Sequence, residues 1–236
     1  MLRVAVARIP DAPAVDTQAA PGWMGDSEQR RWVELPPPAR PPFAASRALL
    51  RGLLQAATGV ATDMWDVSAE ANSAPAVRPR GNRSASSTIH ASLSHRLGWV
   101  AAAIADAPVG VDVEAERPPR SEPRERATLV LSPAELASWQ ALPADEREGA
   151  LLTRWTLKEA WFKASPPEAA PWDFRRIVAL ACTPGRANAR AWTSPPLHVA
   201  VCCDDPVALA DATFLGFDGA QARASFWRVA RAPRTI

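Results

Sequence analysis

The sequence predicts an α+β fold, because helical and strand-like stretches occur in both halves of the chain and no internal repeat links them. Two observations carry this. Phe43, Leu49, Leu50, Leu53, Leu54 and Ala57 recur near a helical period, whereas "VGVDVE" at Val109–Glu114 alternates with period two. At 236 residues, 47% hydrophobic and 22% charged, the chain supports a substantial core, with room for two lobes sharing an interface.

The apolar opening "MLRVAVARIP" reads as a first strand; it meets Pro10 and Asp11 without the long apolar core and cleavage site of a secretory signal. After the proline cluster at Leu35–Pro42, the periodic stretch predicts a helix from about 42 to 58, stopped by Gly59. "SAPAVRPRGNRSASS" (73–87) reads as a polar, basic loop. "IHASLSH", "WVAAAIA" and "VGVDVE" read as adjacent strands. Ser132 as N-cap, Pro133 at the first helical position and Glu135 three residues on form a capping box. The helical region that starts there continues through "DEREGALLTRWTLKEAWFKA" to Ser165 and the prolines that follow. "FRRIVALAC", "ARAWTS", "PLHVAVCC" and "SFWRVAR" read as further strands.

A net charge of +2 is too small for a nucleic-acid partner. No segment approaches the roughly 18 apolar residues of a membrane span, so a cytoplasmic monomer without membrane contact is expected. Cys182, Cys202 and Cys203 lack metal or redox spacing and are expected as reduced thiols.

Two stretches could carry chemistry. In "VGVDVE", Gly110, Asp112 and Glu114 share one strand face, and α-carbons two residues apart lie about 6.6 Å from each other. Both carboxylates can therefore converge on one cation; Mg²⁺ suits such a pair, since it takes hard oxygen ligands and completes its shell with water and substrate phosphates. A solvated strand face is the plain alternative. Gly110 points to a close backbone approach. In "RWTLKEAWFKA" (Arg154–Ala164), Lys158, Glu159 and Lys163 stand among Trp155, Trp161 and Phe162. On an isolated helix Glu159 and Lys163 would form a solvated i,i+4 pair. On a helix packed through its aromatics the charges need partners, which a shared metal and phosphate site would provide.

Taken together and in order, "GVDVE", "LSPAE" and "WTLKEAWFK" resemble the signature of the Sfp-type 4′-phosphopantetheinyl transferases. "SRALLRGLL" and "SLSHRLGWVAAAI" are similar to that family's arginine-bearing first helix and S-H-S strand turn, so the resemblance covers about residues 43 to 180. It implies two similar, pseudo-twofold lobes, 1–112 with the coenzyme-binding helix and 113–236 with the metal-binding helix, and an active site in the cleft between them. It implies Mg²⁺ bound by Asp112, Glu114 and Glu159, and coenzyme A contacted by Arg47, Ser94 and His95, with Arg78 and Pro79 on the adenine side. Glu159, Lys163 and Lys158 are the implied catalytic residues; either Glu159 or Lys163 is the base. Arg96 replaces the second serine of S-H-S, and Val77 replaces the usual glycine ahead of Arg78.

The implied reaction moves the phosphopantetheine arm of coenzyme A onto a serine of an apo-acyl or peptidyl carrier protein and releases adenosine 3′,5′-bisphosphate. The alternatives are another Mg²⁺-dependent phosphoryl or pyrophosphate enzyme, and a non-catalytic carrier-binding homologue. Arg117, Arg120, Arg124 and Arg126 form a candidate docking patch for an acidic carrier, or else a solvated loop.

Overall fold

The computed structural model describes residues 1–9, 19–71, 73–81, 88–116, 123–166, 173–215 and 222–232. In chain order its helices and strands are β1 (Leu2–Arg8), α1 (Asp26–Glu34), α2 (Arg40–Thr58), β2 (Trp65–Val67), β3 (Val77–Pro79), β4 (His90–Arg96), β5 (Trp99–Ala105) and β6 (Val109–Ala115). There follow α3 (Pro123–Val130), α4 (Pro133–Gln140), α5 (Ala144–Ala164), β7 (Ile177–Ala181), β8 (Ala189–Ser194), β9 (Leu197–Cys203), α6 (Pro206–Ala210), β10 (Thr213–Leu215) and β11 (Arg223–Arg231). Helices and sheets are thus mixed throughout, as an α+β fold requires.

One sheet has the order β10-β1-β5-β4 and the other β6-β9-β8-β11-β7, while β2 and β3 form a separate antiparallel pair, with β3 inside the stretch expected as a loop. The expectation of adjacent strands holds for β4 and β5, paired with His95 opposite Val100. It fails for β6. Both edges of β5 are already taken, by β1 and β4, so β6 joins the second sheet, where Asp112 faces Ala200 and Glu114 faces His198 on β9. A boundary at residue 112 would cut β6, all of which pairs with β9, and β10 returns from the C-terminal half to lie parallel to β1. A two-lobe division therefore needs its boundary ahead of Val109.

The two sheets face each other through Val4, Val6, Ala101 and Ala103 on one side and Val111, Val113, Val199 and Val201 on the other. Full burial of each such valine contributes about 1.5–3 kcal/mol. Helix α2 covers the outer face of the first sheet with Leu50, Leu53 and Leu54, and α5 covers the second with Leu157 and Ala160. The odd residues of β6 are thereby spent on the core, and its even residues turn towards β4 and α5.

Helix α2 ends as expected at Gly59, whose φ of 73° is the left-handed conformation glycine accepts freely. Ser132 and Glu135 form the capping box of α4, and α5 runs for 21 residues to Ser165. Helices α1 and α3 occupy stretches that show no helical signal on their own. Among the described residues no helix is long and apolar enough to cross a membrane. The three cysteines are free thiols, and burial pushes that of Cys202 well above its usual range.

Candidate active site at the junction of β4, β6 and α5

The close approach anticipated at Gly110 is made by the backbone of α5. A Cβ at Gly110 would lie 1.9 Å from the carbonyl oxygen of Ala160 and 2.7 Å from the nitrogen of Ala164. With the helix seated there, Lys163 Nζ donates to Asp112 Oδ1 at 2.8 Å and to the Val111 carbonyl at 3.1 Å. From the other side, Ser94 Oγ on β4 donates to the same Oδ1 at 2.7 Å, and Ser92 Oγ accepts the Val111 N–H. The carboxylate is thus held by one oxygen. Asp112 Oδ2 is buried and has no hydrogen-bond partner among the described residues. An acceptor left in that state is costly unless a cation satisfies it.

Glu114 Oε2 lies 3.0 Å from Arg96 Nε. Glu159 is half-buried; burial, then the charge of Asp112, hold its carboxyl above the usual range, while Lys163 opposes the shift. Lys163 therefore pairs with Asp112, and the solvated Glu159–Lys163 pair is absent from the ion pairs of the described residues. His95 is exposed to solvent. Its basicity is depressed by partial desolvation and then by Lys163, Arg47 and Arg96. Lys163, Arg47 and Arg96 therefore all act on His95 with positive charge.

Lys158 is elsewhere. It is fully buried, and its Nζ donates to Glu135 Oε2 at 2.6 Å, the Val130 carbonyl at 2.8 Å and the Phe174 carbonyl at 3.2 Å. Glu135 also accepts the N–H groups of Ser132 and Ala179, so the acid of "LSPAE" and the first lysine of "WTLKEAWFK" are one structural joint. Every donor of Lys158 is spent in that joint, so the contacts of the described residues give its expected catalytic role no support. Burial presses its ammonium below its usual pKa, against the pull of Glu135. Ser94, expected to contact coenzyme A, is buried, and its hydroxyl donates to Asp112.

Arg47 stacks over Phe43 at 3.7 Å, and its Nε lies 3.4 Å from Glu28 Oε1. Burial lowers its pKa to about 10, which leaves it cationic at neutral pH. Glu28 is fully buried and bound by both terminal nitrogens of Arg51. Sequence reasoning missed this pair, since neither an acid on an unpredicted helix nor a second arginine on α2 announces burial. Arg78 and Pro79 lie on β3, and Arg78 lines an open cavity of about 850 Å³ with Gly25, Asp66 and Arg80. None of Asp112, Glu114 and Glu159 lines it. Of the expected docking arginines, Arg117 and Arg120 lie outside the described residues, Arg124 is exposed on α3, and Arg126 is held by both oxygens of Glu148.

Among the described residues no group of three or more Asp, Glu, His and Cys side chains forms a ready-made metal cage. The residues nevertheless fit a hard cation: Asp112 Oδ2 is an unspent buried oxygen, and Glu114 and Glu159 add two more carboxylates.

The site thus joins carboxylates of one strand to a lysine of the helix that covers it. Residues 108–207, from just ahead of β6 to the start of α6, match the 4′-phosphopantetheinyl transferase superfamily. The chain is also similar to the 4′-phosphopantetheinyl transferase psf-1 of Bacillus pumilus, 30% identical over 115 residues. That match covers 49% of this chain and 46% of the relative, so it spans just under half of either protein.

Proposed function

We propose that the protein transfers the phosphopantetheine arm of coenzyme A to a serine of an acyl or peptidyl carrier protein in an Mg²⁺-dependent reaction. The observation that carries this reading is the unspent buried Oδ2 of Asp112, whose Oδ1 accepts from Lys163 and Ser94, beside Glu159. Asp112, Glu114 and Glu159 would hold the metal, which supplies charge neutralisation to a pyrophosphate. Lys163 adds positive charge at the same point, and His95 and Arg47 take the 3′-phosphate. The nucleoside end is assigned to the side of Arg78 and Pro79.

In the transfer, the serine oxygen bonds to the phosphorus next to the pantetheine arm. The bond from that phosphorus to the bridging oxygen breaks, and adenosine 3′,5′-bisphosphate leaves with the electron pair. Glu159 accepts the serine proton. Incubation with coenzyme A, Mg²⁺ and a panel of apo-carrier proteins, followed by mass measurement of each carrier, tests the reading. A carrier that gains the phosphopantetheine mass only with metal present is expected; full transfer after exhaustive chelation would reject the site, and hydrolysis of coenzyme A without any carrier gain would reject the reaction.

A further inference from the structure

Two cations of the chain occupy the acids of β6, and they do so differently. Lys163 donates a directed hydrogen bond to Asp112 and is anchored a second time on the Val111 carbonyl. Arg96 lies at the end of β4, beside the turn in which Leu97 and Gly98 take φ of 46° and 82°. Its Nε is 3.0 Å from Glu114 Oε2, yet that nitrogen finds no hydrogen-bond partner among the described residues, so the contact is one of charge without alignment. The Arg96 side chain is 41% exposed against 12% for Glu114. The arginine can therefore swing out; the glutamate cannot.

Charge makes the same point. Among the described residues, Asp112, Glu114 and Glu159 carry three negative charges and Lys163 and Arg96 two positive ones, so a divalent cation entering with Arg96 in place meets acids that are already largely compensated. A phosphate-bearing ligand corrects this twice, by its own charge and by offering the guanidinium a bidentate partner to exchange for Glu114. We infer that Arg96 is a resident counter-cation that competes with the divalent ion for Glu114, so that the metal enters firmly only together with an anionic ligand that draws Arg96 away. The inference rests on the proposed metal role of these acids and assigns Arg96 a positioning role: it controls how Glu114 is presented.

The test is a titration of Mn²⁺ into wild type, Arg96→Ser and Arg96→Lys, with free Mn²⁺ read by electron paramagnetic resonance, without and with coenzyme A. Arg96 is a partly exposed hairpin residue, and its replacement should leave the melting temperature nearly unchanged. Without coenzyme A, Arg96→Ser is expected to bind Mn²⁺ at least about fivefold tighter than wild type, the upper scale of an exposed ion pair, while Arg96→Lys stays close to wild type. Coenzyme A should then tighten Mn²⁺ binding more in wild type than in Arg96→Ser, and Mn²⁺ should tighten coenzyme A by the same factor. Equal Mn²⁺ affinity of wild type and Arg96→Ser without coenzyme A would overturn the role of Arg96 and leave the metal reading standing. Failure of every variant to bind Mn²⁺ even with coenzyme A would overturn both.

Discussion

Lys158 and Lys163 stand five residues apart on α5, within one motif, and share nothing else. Lys158 is fully buried with every donor directed at Glu135 and two carbonyls, whereas Lys163 is 29% exposed and meets an aspartate with an oxygen to spare. Five residues turn a helix through about 140°, enough to send one lysine into the α3–α4 joint and the other onto Asp112. A charge that satisfies all its partners holds a structure together; a charge beside an unsatisfied partner is available for chemistry.

The largest effect expected from breaking this contrast is at Lys158. Lys158→Met leaves Glu135 buried with an uncompensated charge and should cost about 3–5 kcal/mol in urea unfolding. Lys163→Met should cost under about 1 kcal/mol because the ion pair is partly exposed, yet slow carrier modification sharply. Similar stability losses for the two variants would erase the distinction.

Glu159→Gln sharpens it next, by removing charge while keeping the helix. Transfer should fall at least about a hundredfold, the scale of a lost base or electrostatic stabiliser. Because the folded state raises the Glu159 pKa, it holds that proton more tightly than the unfolded chain, and stability drains as pH rises from the ordinary carboxylate range through the folded value. Gln removes this loss. Thermal melts without metal should show the variant gaining on wild type between acid and neutral pH; a fully active Gln variant would return the helix charges to solubility.

Gly110→Ala forces a Cβ into the Ala160 carbonyl and should cost about 1–3 kcal/mol as α5 lifts from β6. Activity should drop with it, since the same contact places Lys163 on Asp112; a stable, active Ala variant would show that the close packing is incidental.

The smallest effect concerns His198, buried between Thr153 Oγ1 at 3.0 Å and Glu116 Oε1 at 3.0 Å. Burial lowers its pKa despite the pull of Glu116 and Glu148. The folded state therefore binds the proton less well than the unfolded chain, and the contribution present above the ordinary histidine range is lost as pH falls through and below it. His198→Gln should flatten the acid limb of the melting-temperature profile without altering transfer at neutral pH. An unchanged acid limb would count against a neutral buried imidazole.

Much of the local structure was legible beforehand. The ends of α2, the capping box of α4, the span of α5 and the shared face of Asp112 and Glu114 all follow from periodicity and terminal residues. Helix α3 was not: it lies among prolines and arginines, and it is held by Ala127, Val130 and Leu131 packing against Trp139 and Leu151. The strand β6 was legible as a strand but not by partner, because period two states which residues share a face and says nothing about which edge is free.

By itself the sequence determined where α2, α4, α5 and most of the longer strands lie and which side chains share a face, because these follow from backbone geometry within a few residues. Only the tertiary structure decided that β6 leaves the sheet of β5, that Lys158 is a joint and Ser94 a prop for Asp112, and that Arg96 rests on Glu114. Lys163 and Asp112 are 51 positions apart, and their pairing exists because burying Leu157 and Ala160 against the second sheet leaves α5 one place to sit.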